Sequence, residues 1–103
     1  MKRYMFSIYD QIATNYSAPF FVNSLAEGER AFKDLISDEK STLNKHHNDF
    51  TLFYLGTFDV LTGVFDLVDR QAIVYSADVF KSLCDDYVES FIKRKVEKYL
   101  ASK

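Results

Sequence analysis

Residues 51–58 have the sequence TLFYLGTF, and this stretch decides the fold. It is rich in aromatic and β-branched residues and almost continuously hydrophobic, which is typical of a β-strand that is central in its sheet or covered on both faces. Asp59 and Gly63 follow it, and residues 64–68 resume an apolar alternation. Because aspartate starts turns and glycine adopts positive φ, the sequence predicts a hairpin built on this strand.

Further strands are predicted on both sides of the hairpin. Residues 6–9 alternate apolar and polar side chains, as a strand with one buried face does. Pro19 precedes a short apolar run at residues 20–22, which fits an edge strand because proline cannot donate to a ladder. Residues 73–75 are a further candidate strand. Together these segments predict a small, mostly antiparallel sheet.

One short helix and one long C-terminal helix are predicted to pack on this sheet. Ser24 and Glu27 have capping-box spacing, so a helix begins there. Its predicted buried side consists of Leu25, Gly28, Phe32, Leu35 and Ile36. The second helix is capped by Ser76 or Asp78 and runs to about Ala101. The predicted fold class is therefore α+β, in a single domain over residues 1–103.

The apolar residues of the long helix form a winding stripe. They come in pairs every four residues and end with Val96, Tyr99 and Leu100. Four residues turn an α-helix through about 400°, so the stripe drifts by about 40° per pair and one small sheet cannot cover all of it. We expect Val96, Tyr99 and Leu100 to face a second copy or another protein. The alternative is that the last turns project into solvent.

Charge is concentrated at the two ends of the chain, although the net charge is only −2. Residues 4–92 carry six basic and fourteen acidic side chains. If DNA is bound, the predicted phosphate contacts are the terminal cations Lys2, Arg3, Lys93, Arg94, Lys95 and Lys98. The other interpretation is that the C-terminal cations complement the dipole of their helix.

The residues indicate no enzyme, cofactor or metal site. Three glycines give no phosphate-cradling loop. His46, His47 and Asp49 are too few for a three-histidine site and are interpreted as solvated loop residues. Cys84 falls on the apolar side of its helix, where a small hydrophobic residue is the ordinary role. We expect no catalytic residue and no membrane partner, since no apolar run approaches the length of a membrane span.

Two sequence blocks carry a family resemblance. The first is Phe6-Ser7-Ile8-Tyr9-Asp10, continued by Ala13, Tyr16 and Pro19-Phe20-Phe21; the second is His46, Asp49, residues 51–59 and Thr62-Gly63, with Arg30-Ala31-Phe32 between them. Their order and spacing resemble the small nonstructural protein of gokushoviruses, the single-stranded DNA phages of the Microviridae, over residues 4–68. His47 departs from an expected proline and Phe50 from a usual tyrosine, and the sequence after Asp78 matches no pattern of that family.

The resemblance implies a protein that is absent from the mature particle and acts in single-stranded genome synthesis. The leading hypothesis is a nonenzymatic accessory protein of viral DNA replication in the host bacterial cytoplasm, with single-stranded DNA and viral replication proteins as candidate partners. The alternative is a protein-interaction module that docks a viral or host protein through its C-terminal helix, with a homo-oligomer as one form of that contact.

Overall fold

A computed structural model describes residues 1–84 of the chain. Its five-stranded sheet consists of β1 (Lys2–Asp10), β2 (Asn15–Tyr16), β3 (Phe20–Val22), β4 (Phe50–Asp59) and β5 (Phe65–Tyr75). The helices α1 (Leu25–Ser37) and α2 (Thr42–Lys45) lie between β3 and β4 in sequence. Residues 76–84 are also helical and are called α3. The predicted α+β class is confirmed, whereas the rest of the predicted long helix lies outside the described residues.

Every strand pair in the sheet is antiparallel. β4 pairs with β1 from Phe50 opposite Asp10 to Asp59 opposite Lys2, and it pairs with β5 on its other edge. β2 and β3 pair with opposite ends of β1, on the edge that β4 leaves free. The strand that contains TLFYLGTF is therefore central in the sheet, which confirms its prediction.

The hairpin between β4 and β5 forms as predicted. The amide of Gly63 donates to the carbonyl of Asp59 over 2.8 Å, and Gly63 has a φ of 73°, where glycine is favoured. The Asp59 carboxylate also accepts a hydrogen bond of 2.9 Å from the Leu61 amide. The division of residues 64–68 and 73–75 into two strands is wrong, because β5 continues through two irregularities in its pairing with β4.

The hydrophobic core lies on one face of the sheet, which we call the helix face. Phe6, Leu52, Phe32 and Ile36 are fully buried there, and Phe50 and Val79 complete the cluster. Side chains alternate along a strand, so the even-numbered residues Tyr4, Phe6 and Ile8 of β1 all pack in this core. One layer of helices therefore covers one face of the sheet.

Helix α1 packs through the row Gly28, Phe32 and Ile36, which are all buried. Leu25 and Leu35 are exposed, so their predicted burial is wrong; they lie off this row of residues spaced by four. At the start of the helix, the Ser24 hydroxyl accepts from the Glu27 amide over 3.1 Å, as predicted. The Glu27 carboxylate accepts from the amide of Asn23, the residue before the cap.

Ser76 joins the end of β5 to the segment before β4. Its fully buried hydroxyl donates to the His47 carbonyl and accepts from the Phe50 amide over 3.1 Å. Ser76 is already helical, and its hydroxyl bonds to residues distant in sequence instead of serving as the predicted cap. The His47 ring stacks on Phe80 with 3.6 Å between centroids and is half-buried, so only His46 is the exposed loop histidine that was predicted.

Gly28→Ala is expected to destabilise the fold by about 1–3 kcal/mol, because an added Cβ would overlap the buried ring of Phe6. This loss outweighs the gain of up to about 1 kcal/mol in helix propensity. Urea denaturation measures it. In a Phe6→Leu background the same substitution is expected to cost less, and an equal cost in both backgrounds would contradict the close packing of α1 on β1.

Ser76→Ala is expected to cost about 1–3 kcal/mol, because it leaves the buried amide of Phe50 without an acceptor. The matched control is Ser37→Ala, since the exposed Ser37 hydroxyl bonds only to carbonyls of its own helix; a change within about 0.5 kcal/mol is expected there. Thermal denaturation measures both variants. Equal decreases in melting temperature would show that Ser76 does not join these segments.

Candidate nucleic-acid interface

The face of the sheet opposite the core, which we call the open face, carries no helix in the part of the chain that the structure describes. Phe32 of α1, Leu43 of α2 and Val79 of α3 all pack on the helix face. The odd-numbered residues of β1 point to the other side. Met5 shows this directly, because it is buried without belonging to the core cluster. The open face is therefore a surface of strand side chains.

Three aromatic rings and an arginine form the first feature of the open face, the Tyr16 cluster. The centre of the Tyr16 ring lies 4.7 Å from the centre of the Tyr9 ring and 5.4 Å from that of the Phe53 ring. Tyr16 and Phe53 meet edge to face. The guanidinium carbon of Arg70 lies 5.5 Å from the centre of the Tyr16 ring, within cation–π range. Tyr16 keeps 38% of its surface exposed, so solvent reaches a ring that already holds a cation.

A second group of rings, the Phe58 cluster, lies toward the other end of the same face. Phe58 contacts Phe65 at 4.8 Å and Phe21 at 6.1 Å between ring centres. Phe21 and Phe65 are 41% and 54% exposed. Arg3 lies directly opposite Phe58 in the pairing of β1 with β4 and is exposed. Each end of the open face therefore combines exposed aromatic surface with an arginine.

Hydrogen bonds of Ser7 and Ser17 hold the Tyr16 cluster in place. The buried Ser7 hydroxyl donates to the Ser17 carbonyl over 2.7 Å, and the Ile8 amide donates to the Ser17 hydroxyl over 2.9 Å. The Ser17 amide in turn donates to the Ile8 carbonyl. These bonds fix the residue that follows Tyr16 against β1. A shallow depression of about 360 Å³ lies here, lined by Ser7, Tyr16, Ser17, Pro19, Leu55 and Arg70.

The chemistry of the open face suits unpaired nucleobases. Exposed aromatic rings stack bases in proteins that bind single strands, and arginine adds phosphate and cation–π contacts. The acidic residues Glu27, Glu29 and Asp34 belong to α1, on the other side of the sheet. The sheet thus lies between these carboxylates and the aromatic surface.

The two predicted phosphate contacts at the N-terminus lie on different faces. Arg3 is on the open face, whereas Lys2 lies opposite Asp59 at the hairpin end of the helix face. Lys2 lines a depression there with Asp59 and Asp66. Lys2 therefore lies on the side of the sheet that carries these two carboxylates, whereas Arg3 lies opposite Phe58 on the open face. Lys93, Arg94, Lys95, Lys98, Val96, Tyr99 and Leu100 lie outside the described residues.

The helix face near the hairpin also shifts two pKa values. Burial raises the pKa of the Tyr54 hydroxyl, and Tyr4 and Asp66 add to this, so the phenol stays neutral at physiological pH. The hydrogen bond from the Leu61 amide lowers the pKa of Asp59, and the terminal ammonium group, 3.8 Å away, adds to the effect. Within residues 1–84, no three histidine, cysteine or carboxylate side chains gather as a metal site requires.

Sequence reasoning missed most residues of the open face. Tyr9, Tyr16, Phe53 and Arg70 were not candidate site residues, because an almost continuously apolar strand does not reveal which side chains the helices cover. The signal was present in β1 and β4, where both alternating sets contain aromatic residues.

Cys84, predicted on the apolar side of its helix, is exposed, because it lies beyond Val79 and Phe80, the α3 residues that contact the core. No helix of the described part is long and apolar enough to cross a membrane.

The pKa of Asp59 is expected to lie below the usual range of an aspartate, because the ionised carboxylate accepts a hydrogen bond from the Leu61 amide. NMR of the Asp59 carboxyl carbon during a pH titration measures this pKa. A lowered folded pKa means that the stabilisation is present above the pKa of the unfolded chain and is lost as pH falls through the folded value. Asp59→Asn should therefore flatten the dependence of stability on pH in the acidic range. The control is Asp38→Asn, an exposed aspartate outside the hairpin.

The comparisons with known proteins agree with the resemblance at the level of a phage family. Residues 3–80 match the family described as Phage ORF5 protein, which is well over half of the chain. No match was found among curated proteins, and none among solved structures. The matched region contains β1 from Arg3 onward, the other four strands, α1, α2 and the open face. The chain therefore belongs to the Phage ORF5 protein family and is a phage protein.

Proposed function

We propose that this phage protein is a nonenzymatic accessory protein of the gokushovirus type that acts in single-stranded genome synthesis by holding single-stranded DNA on its open face. The observation that carries the proposal is the Tyr16 cluster, where a half-exposed ring lies under the guanidinium of Arg70. Every base has a π-face, so such a cluster accepts any sequence. This suits a protein that handles a whole genome.

A single strand fits the open face better than a duplex. Stacking on side chains requires bases that are free of their partners, and a duplex offers mainly its phosphates to such a surface. The open face has two arginines in its two clusters, and the chain has a net charge of −2. We therefore expect stacking to contribute more to affinity than phosphate neutralisation, and binding to depend only moderately on salt.

The distance between the two clusters sets the length of single-stranded DNA that can contact both of them. Tyr9 and Arg3 are six residues apart on β1, which corresponds to roughly 20 Å at about 3.3 Å per residue. One base at each cluster thus requires several nucleotides between them. Lys93, Arg94, Lys95 and Lys98 remain the proposed further phosphate contacts. The same strand is the substrate of replication proteins in the host cytoplasm, which are the proposed partners.

The test is fluorescence anisotropy with labelled oligothymidines of roughly 4 and 16 nucleotides, the limits of single-domain sites. Tyr16→Ala is expected to weaken binding of the longer strand by about 1–3 kcal/mol, or roughly 5- to 150-fold. Arg70→Gln should also weaken it. The matched control is Arg30→Gln, an exposed arginine on α1, which should bind as the wild type does.

The same titration at two salt concentrations separates the roles of the cations. Alanine at Lys93, Arg94 and Lys95 together is expected to reduce the salt dependence with the Tyr16 effect unchanged. Wild-type protein that binds neither oligothymidine at low salt would refute the proposal. So would equal losses in Arg30→Gln and Arg70→Gln, since binding would then follow total charge and not the open face.

A further inference from the structure

We propose that the depression beside Tyr16 receives the methyl group of one thymine, so that the open face prefers thymine among the bases of single-stranded DNA. The inference rests on the proposed function and adds a base preference to it. The depression, of about 360 Å³, is lined in part by Tyr16, whose ring is partly exposed. A base that stacks on this ring therefore brings one of its edges to the depression.

An irregularity of the central strand places a leucine in the depression. Consecutive residues of β1 pair with Tyr54 and Gly56, so Leu55 between them is the extra residue of a β-bulge. A bulge re-aims a side chain, and Leu55 lines the depression on the open face. Gly56 has a φ of 138°, and a Cβ there would overlap the backbone of Asp66 on β5. The backbone that positions Leu55 therefore requires glycine at the next residue.

The lining of the depression is largely apolar. Three of its six lining residues supply apolar or aromatic surface, namely Tyr16, Pro19 and Leu55. The others are two serines and Arg70. The Ser7 hydroxyl donates to the Ser17 carbonyl over 2.7 Å, and the Ser17 hydroxyl donates to the Ala18 carbonyl over 3.3 Å. Both hydroxyl protons are thus engaged with the backbone, and neither is free to donate to a base.

Thymine matches this lining better than the other bases of DNA do. Its C5 methyl is an apolar group on the base edge, whereas adenine and cytosine carry an amino group there and guanine a carbonyl. A methyl needs no hydrogen-bond partner, so it enters an apolar depression without the cost that a polar group pays on losing water. Arg70 lines the same depression and supplies a positive charge for the phosphate of that nucleotide.

The test compares oligothymidine with oligodeoxyuridine, both of roughly 16 nucleotides, by fluorescence anisotropy. The two strands differ only in the C5 methyl groups, and the wild type is expected to bind oligothymidine about fourfold more tightly, the effect of one buried methyl. Leu55→Ala should reduce this ratio to below about twofold, and Pro19→Ala should reduce it as well. The matched control is Leu61→Ala, an 82% exposed leucine in the hairpin turn, which should keep the wild-type ratio.

A methylated cytosine strand tests the methyl group by itself. Oligodeoxycytidine with 5-methylcytosine in place of cytosine should bind about fourfold more tightly than the unmethylated strand, because the same group enters the depression. No gain from that methyl would overturn the inference. Circular dichroism confirms that each protein variant is folded, and the ratio is taken within each variant, so a change in overall affinity does not affect it.

The outcomes separate this inference from the proposed function. Equal binding of oligothymidine and oligodeoxyuridine by the wild type would overturn the thymine preference and leave DNA binding on the open face intact. Wild-type protein that binds neither strand at low salt would refute both. A preference that Leu55→Ala and Pro19→Ala leave unchanged would also overturn the inference, because the methyl would then be bound outside the depression.

Discussion

The packing of the Phe6 ring against Gly28 is the contact on which the rest of this structure depends. Phe6 is fully buried, and its ring also stacks on Phe20 and contacts Tyr54, so one side chain joins α1 to three strands of the sheet. Only a residue without a side chain allows the helix to approach so closely. The position of the whole helix layer follows from this one contact.

The same contact also determines which residues face outward. Because side chains alternate along a strand, placing Phe6 in the core turns Arg3, Ser7 and Tyr9 to the other face. A shift of one residue would exchange the two sets. The aromatic residues of β4 follow β1 through their pairing, so Phe53 and Phe58 join Tyr9 and Arg3. The composition of the open face is thus a consequence of core packing.

The sequence predicted those parts of the fold that local chemistry specifies. The central strand, its hairpin and the start of α1 depend on residues close together in the chain, and each formed as expected. The errors concern distant partners. The hydroxyl of Ser76 bonds to residues 47 and 50, and β5 remains one strand because β4 holds both of its segments. Of the candidate site, Arg3 could be named in advance, whereas Tyr16 and Arg70 meet only after the strands have paired.

The hydrogen bonds between Ser7, Ile8 and Ser17 have a consequence for recognition. They hold a two-residue strand, too short to be stable by itself, in one position beside β1. The ring of Tyr16 therefore has its conformation set during folding, and a ligand that stacks on it does not have to immobilise a loop. The entropic cost of ordering this contact is met when the chain folds, and it does not recur when a ligand stacks on the ring.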